Sequence, residues 1–172
     1  DYDSSIIRAA SDENKNIIVY VHIWWPTCPK ITRFNYDGKI CQGFINSNCK
    51  KCLLHSFESR SVIGKLIKMG LTIFLTNNRI HKKMQNRINL LKKDNVKIAV
   101  LSPYMKDYFV SYGIPQEKIK IVPNGISFKG LASNNTFREK IVCYYGGESK
   151  IKGFEIFFKI AEIVKANYPD IR

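Results

Sequence analysis

No apolar run in this chain reaches the roughly 18 residues that a membrane-spanning helix needs. The most apolar stretch, Val62 to Leu75, carries Lys65 and Lys68 within it. Acids are scarce: 14 Asp and Glu face 28 Lys and Arg, giving a net charge of +14. Such a balance favours anionic partners, whether nucleic acid, acidic lipid or phosphate-bearing small molecules. The opening Asp1-Tyr2-Asp3 is acidic and has no Met, so it does not read as a signal peptide. It reads as the cut end of a longer chain, and Asn167 to Arg172 reads as a connection into a further strand. Neither G-x-G-x-x-G nor a Walker A loop is present. The five cysteines are an odd number without a secretory signal, which points to a reducing, cytoplasmic setting. The sequon at Asn134 then carries no sugar.

What is present is a chain of 172 residues, 45% hydrophobic, long enough for one domain and part of a second. Ser4 to Ala10 suits a short helix. "NIIVYVHIWW", Asn16 to Trp25, is a continuous apolar run of the kind found in strands buried on both faces of a parallel sheet. Ile80, Met84, Ile88 and Leu91 form one helical stripe, with Arg79, Lys82, Lys83, Arg87, Lys92 and Lys93 on the other faces. Val96 to Ser102 reads as a second strand. Ser102 and Pro103 then suit the N-cap and first turn of a helix that stops at Gly113. "KIKIVP" and "EKIVCYYGG" read as third and fourth strands, and Cys143 in the last as a small core residue. "GFEIFFKIAEIVKANYP" reads as a helix with Phe154, Phe157, Phe158, Ala161 and Val164 on one side. Strands alternating with helices predict an α/β fold: a Rossmann-like parallel sheet with helices on both faces.

The polar stretch Asn124 to Glu139 has a linker's composition and places a domain boundary near residue 135. The last strand and helix are joined by "GGESKIKG". Gly146 and Gly147 let backbone N–H groups approach an anion, and Lys150 and Lys152 add positive charge, so phosphate is the natural ligand. A plain strand-to-helix turn with exposed lysines fits the same residues.

Residues 26–56 form a cysteine-rich insert with a hairpin turn at Asp37-Gly38. Cys28, Cys41, Cys49 and Cys52 are spaced C-x12-C-x7-C-x2-C. Four soft ligands can hold a structural Zn²⁺ or an iron–sulfur cluster; free thiols or a disulfide are the alternatives.

"LSPYMKDYFVSYGIPQEKIKIVPNGI", followed by "IVCYYGGESKIKGFEIFFKIAEIV", resembles the family-4 glycosyltransferases, retaining enzymes of the two-domain GT-B type. "WPTCP…DGKICQGF…CKKCL" resembles a subgroup with a cysteine-bearing insert after one strand of the N-terminal domain. The resemblance spans about Ile17 to Ile171. It implies that residues 1–134 are most of an acceptor-side domain. Residues 135–172 would be the linker and the first strand and helix of the donor-side, nucleotide-sugar domain. It implies that His22 faces the interdomain cleft and that Pro123, Asn124 and Gly125 form a loop at its rim. Gly146, Gly147, Lys150 and Lys152 would lie at the donor diphosphate. The family's arginine after the first glycine is Gly147 here, and the residue after Pro-Asn-Gly-Ile is Ser127. The implied reaction is sugar transfer with retention from a nucleotide-sugar donor to a glycan or lipid-linked acceptor, as in cell-surface glycan biosynthesis. Catalysis needs no metal cofactor in that reading. Because the family's other donor and glycine-rich motifs fall outside residues 1–172, this chain alone is expected to be inactive.

The alternative from another class is a basic, metal-stapled module that binds nucleic acid; an inactive binding remnant of a transferase is a further one. Between Lys50 and Lys93 there are eleven Lys and Arg and a single acid, Glu58. Trp24, Trp25, Phe34 and Tyr36 cluster with the cysteines rather than along the basic helix, which disfavours nucleic acid. The basic residues of 60–93, with Val62, Ile63, Leu66 and Ile67, can instead meet an anionic membrane face peripherally. A solvated helix surface and an ordinary core segment fit these residues too.

Overall fold

The computed structural model of the chain describes residues 2–56, 64, 67, 70, 72–125, 140–148 and 150–171. The chain divides into two compact units, Asp1–Gly125 and Ile126–Arg172. The boundary expected near residue 135, most of the linker and much of Val62–Leu75 lie outside the described residues.

The first unit runs α1 (Tyr2–Asp12), β1 (Ile17–Val21), α2 (Cys49–Ser56), α3 (Asn77–Leu91), β2 (Val96–Val100), α4 (Pro103–Val110) and β3 (Ile119–Ile121). The three strands form one parallel sheet in the order β1-β2-β3. Val19 lies opposite Ile98, which lies opposite Ile119; Val21, Val100 and Ile121 form the next row. The α/β class and the parallel sheet expected from the alternation are therefore observed.

Local chemistry explains where the helices begin and end. The Thr76 hydroxyl accepts the Arg79 N–H at 3.2 Å and caps α3. At the other end of α3 the Lys118 ammonium reaches the carbonyls of Lys92 and Lys93 at 2.8 and 3.0 Å, placing a cation where the helix dipole is negative. Ser102 accepts the Met105 N–H at 3.3 Å, with Pro103 in the first turn of α4. The chain leaves α4 through Gly113 at φ +75°, a left-handed position that glycine takes without strain.

The core occupies one face of the sheet. Val19, Val21, Val96, Ile98, Val100 and Ile119 meet Ile7 of α1, the Ile80-Met84-Ile88-Leu91 stripe of α3, and Met105 and Phe109 of α4 in one cluster. The opposite face carries Ile18, Tyr20, Lys97 and Lys120, all exposed, with Ile18 at 76%. Helices were expected on both faces; among the described residues they cover one. β1 likewise was expected to be buried on both sides, yet it alternates. A continuous apolar run shows that both faces can tolerate burial, and it cannot show which elements arrive to bury them.

The second unit holds a 3₁₀ turn, Lys150–Lys152, and α5 (Phe154–Asn167). Phe154, Phe157, Ala161 and Val164 form its less exposed side, as the spacing predicts, whereas Phe158 is exposed. Residues 140–145 form no strand and Cys143 is exposed, contrary to the expected fourth strand with a buried cysteine. A strand exists by pairing, and among the described residues this segment has no ladder partner.

One-sided burial predicts unequal costs for two apolar truncations. Ile88→Ala, at 0% exposure, should cost about 2–5 kcal/mol. Ile18→Thr keeps β-branching and should cost no more than about 0.5 kcal/mol. Both tryptophans lie in the first unit, so denaturant unfolding followed by their fluorescence reads that unit alone. Equal costs would mean that the outer face is covered.

Candidate functional site

Parallel pairing brings the carboxyl ends of the three strands to one edge, where open α/β sheets bind ligands. His22 follows β1 directly and is exposed. Past β3, the Val122 N–H continues the ladder to the Val100 carbonyl at 2.8 Å, and the exposed Pro123-Asn124-Gly125 segment follows. Tyr20 joins these two ends. Its hydroxyl donates to the Val122 carbonyl at 2.5 Å and lies 3.4 Å from the Asn124 Oδ1. Its ring stands edge-on to the His22 imidazole, centroids 4.1 Å apart. His22 and Asn124, proposed separately from motif positions, thus share one intermediary. Tyr20 itself was not singled out, because a tyrosine inside an apolar strand run reads as core. His22 also lines an open groove at the edge of β1 with Ile6, Ile18, Tyr20 and Ile23.

The second unit carries the glycine-lysine loop. Gly147 and Gly153 take positive φ of 64° and 79°, and Gly153 is the N-cap of α5 with no side-chain cap bond. Glycine offers no side-chain oxygen to the first N–H groups of α5, and a helix start favours negative charge. A Cβ on Gly146 would come within 2.8 Å of the Tyr144 hydroxyl and 3.2 Å of the Lys152 Cδ, so a side chain there would displace both. Tyr144 fastens the loop: its hydroxyl reaches the Gly147 carbonyl at 3.0 Å and the Lys152 carbonyl at 3.3 Å, while its ring packs on Phe154 and Phe157. Lys152 is exposed beside Gly146. The backbone of Lys150 opens the 3₁₀ turn; its side chain lies outside the described residues.

The insert folds against α3 and α4. The hairpin is present: Phe34 bridges Ile40, Gly38 sits at φ +75°, and the Asn35 side chain accepts the N–H groups of Asp37 and Lys39. Its anchor is Arg33, 4% exposed and at φ +58°. The guanidinium lies 4.5 Å from the Trp24 ring centroid and 3.8 Å from that of Tyr108. It also donates to the Cys41 carbonyl at 2.7 Å and to the Tyr104 hydroxyl at 3.1 Å. Gly43 tucks against the Tyr112 hydroxyl, where any side chain would collide, and Phe44 stacks on Tyr112 at 5.3 Å. Burial and the bond to Tyr108 push the Tyr112 hydroxyl pKa upward.

All four insert cysteines are free thiols. Cys49 and Cys52 are buried in α2, and Cys28 and Cys41 are half-buried. Burial, with Cys41, Cys52 and Cys28 close by, pushes the Cys49 thiol up to about 12. The Cys41 Sγ lies 3.0 Å from the Ser47 Oγ and 3.5 Å from the Gly43 carbonyl. Among the described residues no group of three or more His, Cys, Asp and Glu side chains is arranged to hold a metal ion.

No family model matches the chain, and comparisons with curated proteins and with solved structures find no match.

Tyr20→Phe removes one hydroxyl and keeps the ring. The expected result is a stability loss of about 1 kcal/mol or less, with faster hydrogen exchange at the Val122 and Gly125 amides. Unchanged exchange at both amides would show that Tyr20 does not hold the loop.

Proposed function

We propose that the chain is part of a nucleotide-sugar-dependent glycosyltransferase of the retaining, GT-B type. The observation that carries this reading is the Tyr20 bridge, which joins His22 and Asn124 at the carboxyl edge of the parallel sheet. A second support is the loop from Gly146 to Gly153, in which glycine backbone, a helix start and Lys152 lie together.

The chemistry requires stabilising a departing nucleoside diphosphate while the sugar ring carries positive charge. Backbone N–H groups at the start of α5 supply fixed dipoles for the diphosphate, and the Lys152 ammonium supplies a mobile positive charge. Gly147, where the resembling family has arginine, offers close backbone approach instead of a guanidinium fork. His22 orients a donor-sugar or acceptor hydroxyl, with Tyr20 fixing the ring and Asn124 adding a carboxamide at the same edge. No metal ion enters this scheme. The acceptor is a glycan or a lipid-linked sugar. No described helix is long and apolar enough to cross a membrane. Ile67, Ile73 and Phe74 are exposed, as an interfacial segment requires and a core segment does not.

The test is a nuclear magnetic resonance titration of the chain with a nucleoside diphosphate. Shifts should concentrate at the amides of Gly146, Gly147, Gly153 and Phe154. Lys152→Ala should weaken binding about tenfold, equivalent to about 1.4 kcal/mol. Shifts scattered over the surface, or binding unaffected by Lys152→Ala, would remove the donor-site reading. Submicromolar duplex binding with a steep salt slope, through the exposed Arg79, Lys82 and Lys83, would favour the nucleic-acid module instead.

A further inference from the structure

The insert contains four thiols and, before α2, a single bridge and no helix. We infer that Cys28, Cys41, Cys49 and Cys52 form one tetrathiolate Zn²⁺ site that staples the insert beneath the end of β1. This assignment stands independently of the proposed sugar transfer.

The backbone already gathers the four residues. Cys49 and Cys52 are a helical turn apart at the start of α2 and are both buried, 4% and 8% exposed, so they share one face. The Asn48 side chain caps this turn by accepting the Lys51 N–H at 2.9 Å. Cys41 reaches the same place: its sulfur lies 3.0 Å from the Ser47 hydroxyl, and the Cys49 N–H binds the Ser47 carbonyl at 3.0 Å. Cys28 sits in the turn that follows β1, its N–H bound to the Trp24 carbonyl and its carbonyl to the Ile31 N–H. Arg33 ties that turn to Cys41: its carbonyl accepts the Cys41 N–H at 2.7 Å and its guanidinium returns to the Cys41 carbonyl.

The surroundings suit a doubly negative centre. Zinc binding releases the thiol protons to solvent and leaves a Zn(S)₄ unit of charge −2. Arg33 is a buried cation with no carboxylate partner among the described residues; it meets aromatic rings, a hydroxyl and a carbonyl. Next to Cys28, the Thr27 hydroxyl is buried without a hydrogen-bond partner, a donor that a thiolate can accept from. Closure asks Cys41 to exchange its weak contacts with Ser47 and Gly43 for a metal–sulfur bond, a favourable exchange for a thiolate. Four sulfur ligands leave no open position, so the ion would be structural.

The test uses the whole chain, purified under reducing conditions from zinc-supplemented cells. Elemental analysis should find about one zinc per chain, and Cys143→Ser should leave it unchanged. The pair Cys49→Ser/Cys52→Ser should abolish it. Because that pair can fail to fold, Cys28→Ser is the second probe: it should fold yet surrender zinc to a chelator at about tenfold lower chelator concentration. Cobalt exchanged into the wild type should show thiolate-to-metal charge-transfer absorption. Absence of zinc with no cobalt uptake would overturn the site. So would an intact mass showing disulfides among these cysteines. An iron–sulfide chromophore would overturn the zinc assignment.

Discussion

β2 is the only described strand hydrogen-bonded along both edges, and the rest of the first unit depends on its register. Val96, Ile98 and Val100 are almost completely excluded from solvent, and each sets a row shared with a neighbouring strand. In a parallel ladder, residues in one row point to the same side, so one-residue slippage would turn every inward side chain outward. The same rows fix the candidate site's edge. Val21, Val100 and Ile121 end together, so His22, Leu101 and Val122 must emerge together. The closeness of His22 to the Pro-Asn-Gly loop follows from strand register before any side-chain preference acts. Tyr20 then converts nearness into a fixed relation, because its row points to the outer face and its hydroxyl reaches across to Val122.

The insert follows a different logic. Residues 26–48 contain no helix and a single bridge, and Phe44 is their one member of the hydrophobic core cluster. Their order comes from Arg33 between aromatic rings, Gly43 against Tyr112, and Asn35 at the hairpin. Arg33 and Ile31 both adopt left-handed backbone, at a cost on the order of 1–3 kcal/mol each. The Arg33 side chain offsets part of this by combining ring contacts with three donated hydrogen bonds. Trp24, two residues beyond His22, is one wall of that cage. The insert therefore bears on the segment that carries His22, so loosening it should reach the candidate site through Trp24.

Much of this was legible in the sequence because it depends on local rules. The α3 stripe, the Ser102-Pro103 start, the Gly113 stop and the Asp37-Gly38 turn are each specified within a few residues. What was not legible depends on distant partners. Nothing in "NIIVYV" tells whether Ile18 meets a helix. Nothing near Cys143 tells whether a second strand lies alongside. Tyr20 and Arg33 were overlooked for opposite reasons: an aromatic in a strand looks like core, and an arginine in a polar loop looks like surface. Arg33 is buried because three aromatic rings from two elements enclose it, which no short window contains. Of the candidate site, the His22 edge and the glycine-lysine loop were found by motif, while the residues that fix them, Tyr20 and Tyr144, emerged only from geometry.

The two units divide the chemistry that the proposed reaction demands. The first offers an imidazole, a carboxamide and a hydroxyl at one sheet edge, groups suited to orienting neutral hydroxyls by hydrogen bonds. The second offers backbone N–H groups at the start of α5 and the Lys152 ammonium, groups suited to phosphate. Neither set suffices alone. A phosphate cradle without an orienting edge binds a leaving group without directing the sugar, and the edge without the cradle leaves the departing charge unstabilised. Transfer from an anionic donor to a neutral acceptor would call on both kinds of group, whereas a nucleic-acid module would need only a basic surface such as Arg79, Lys82 and Lys83. The test that separates the two readings is therefore whether phosphate binding localises to the start of α5 or follows the basic surface.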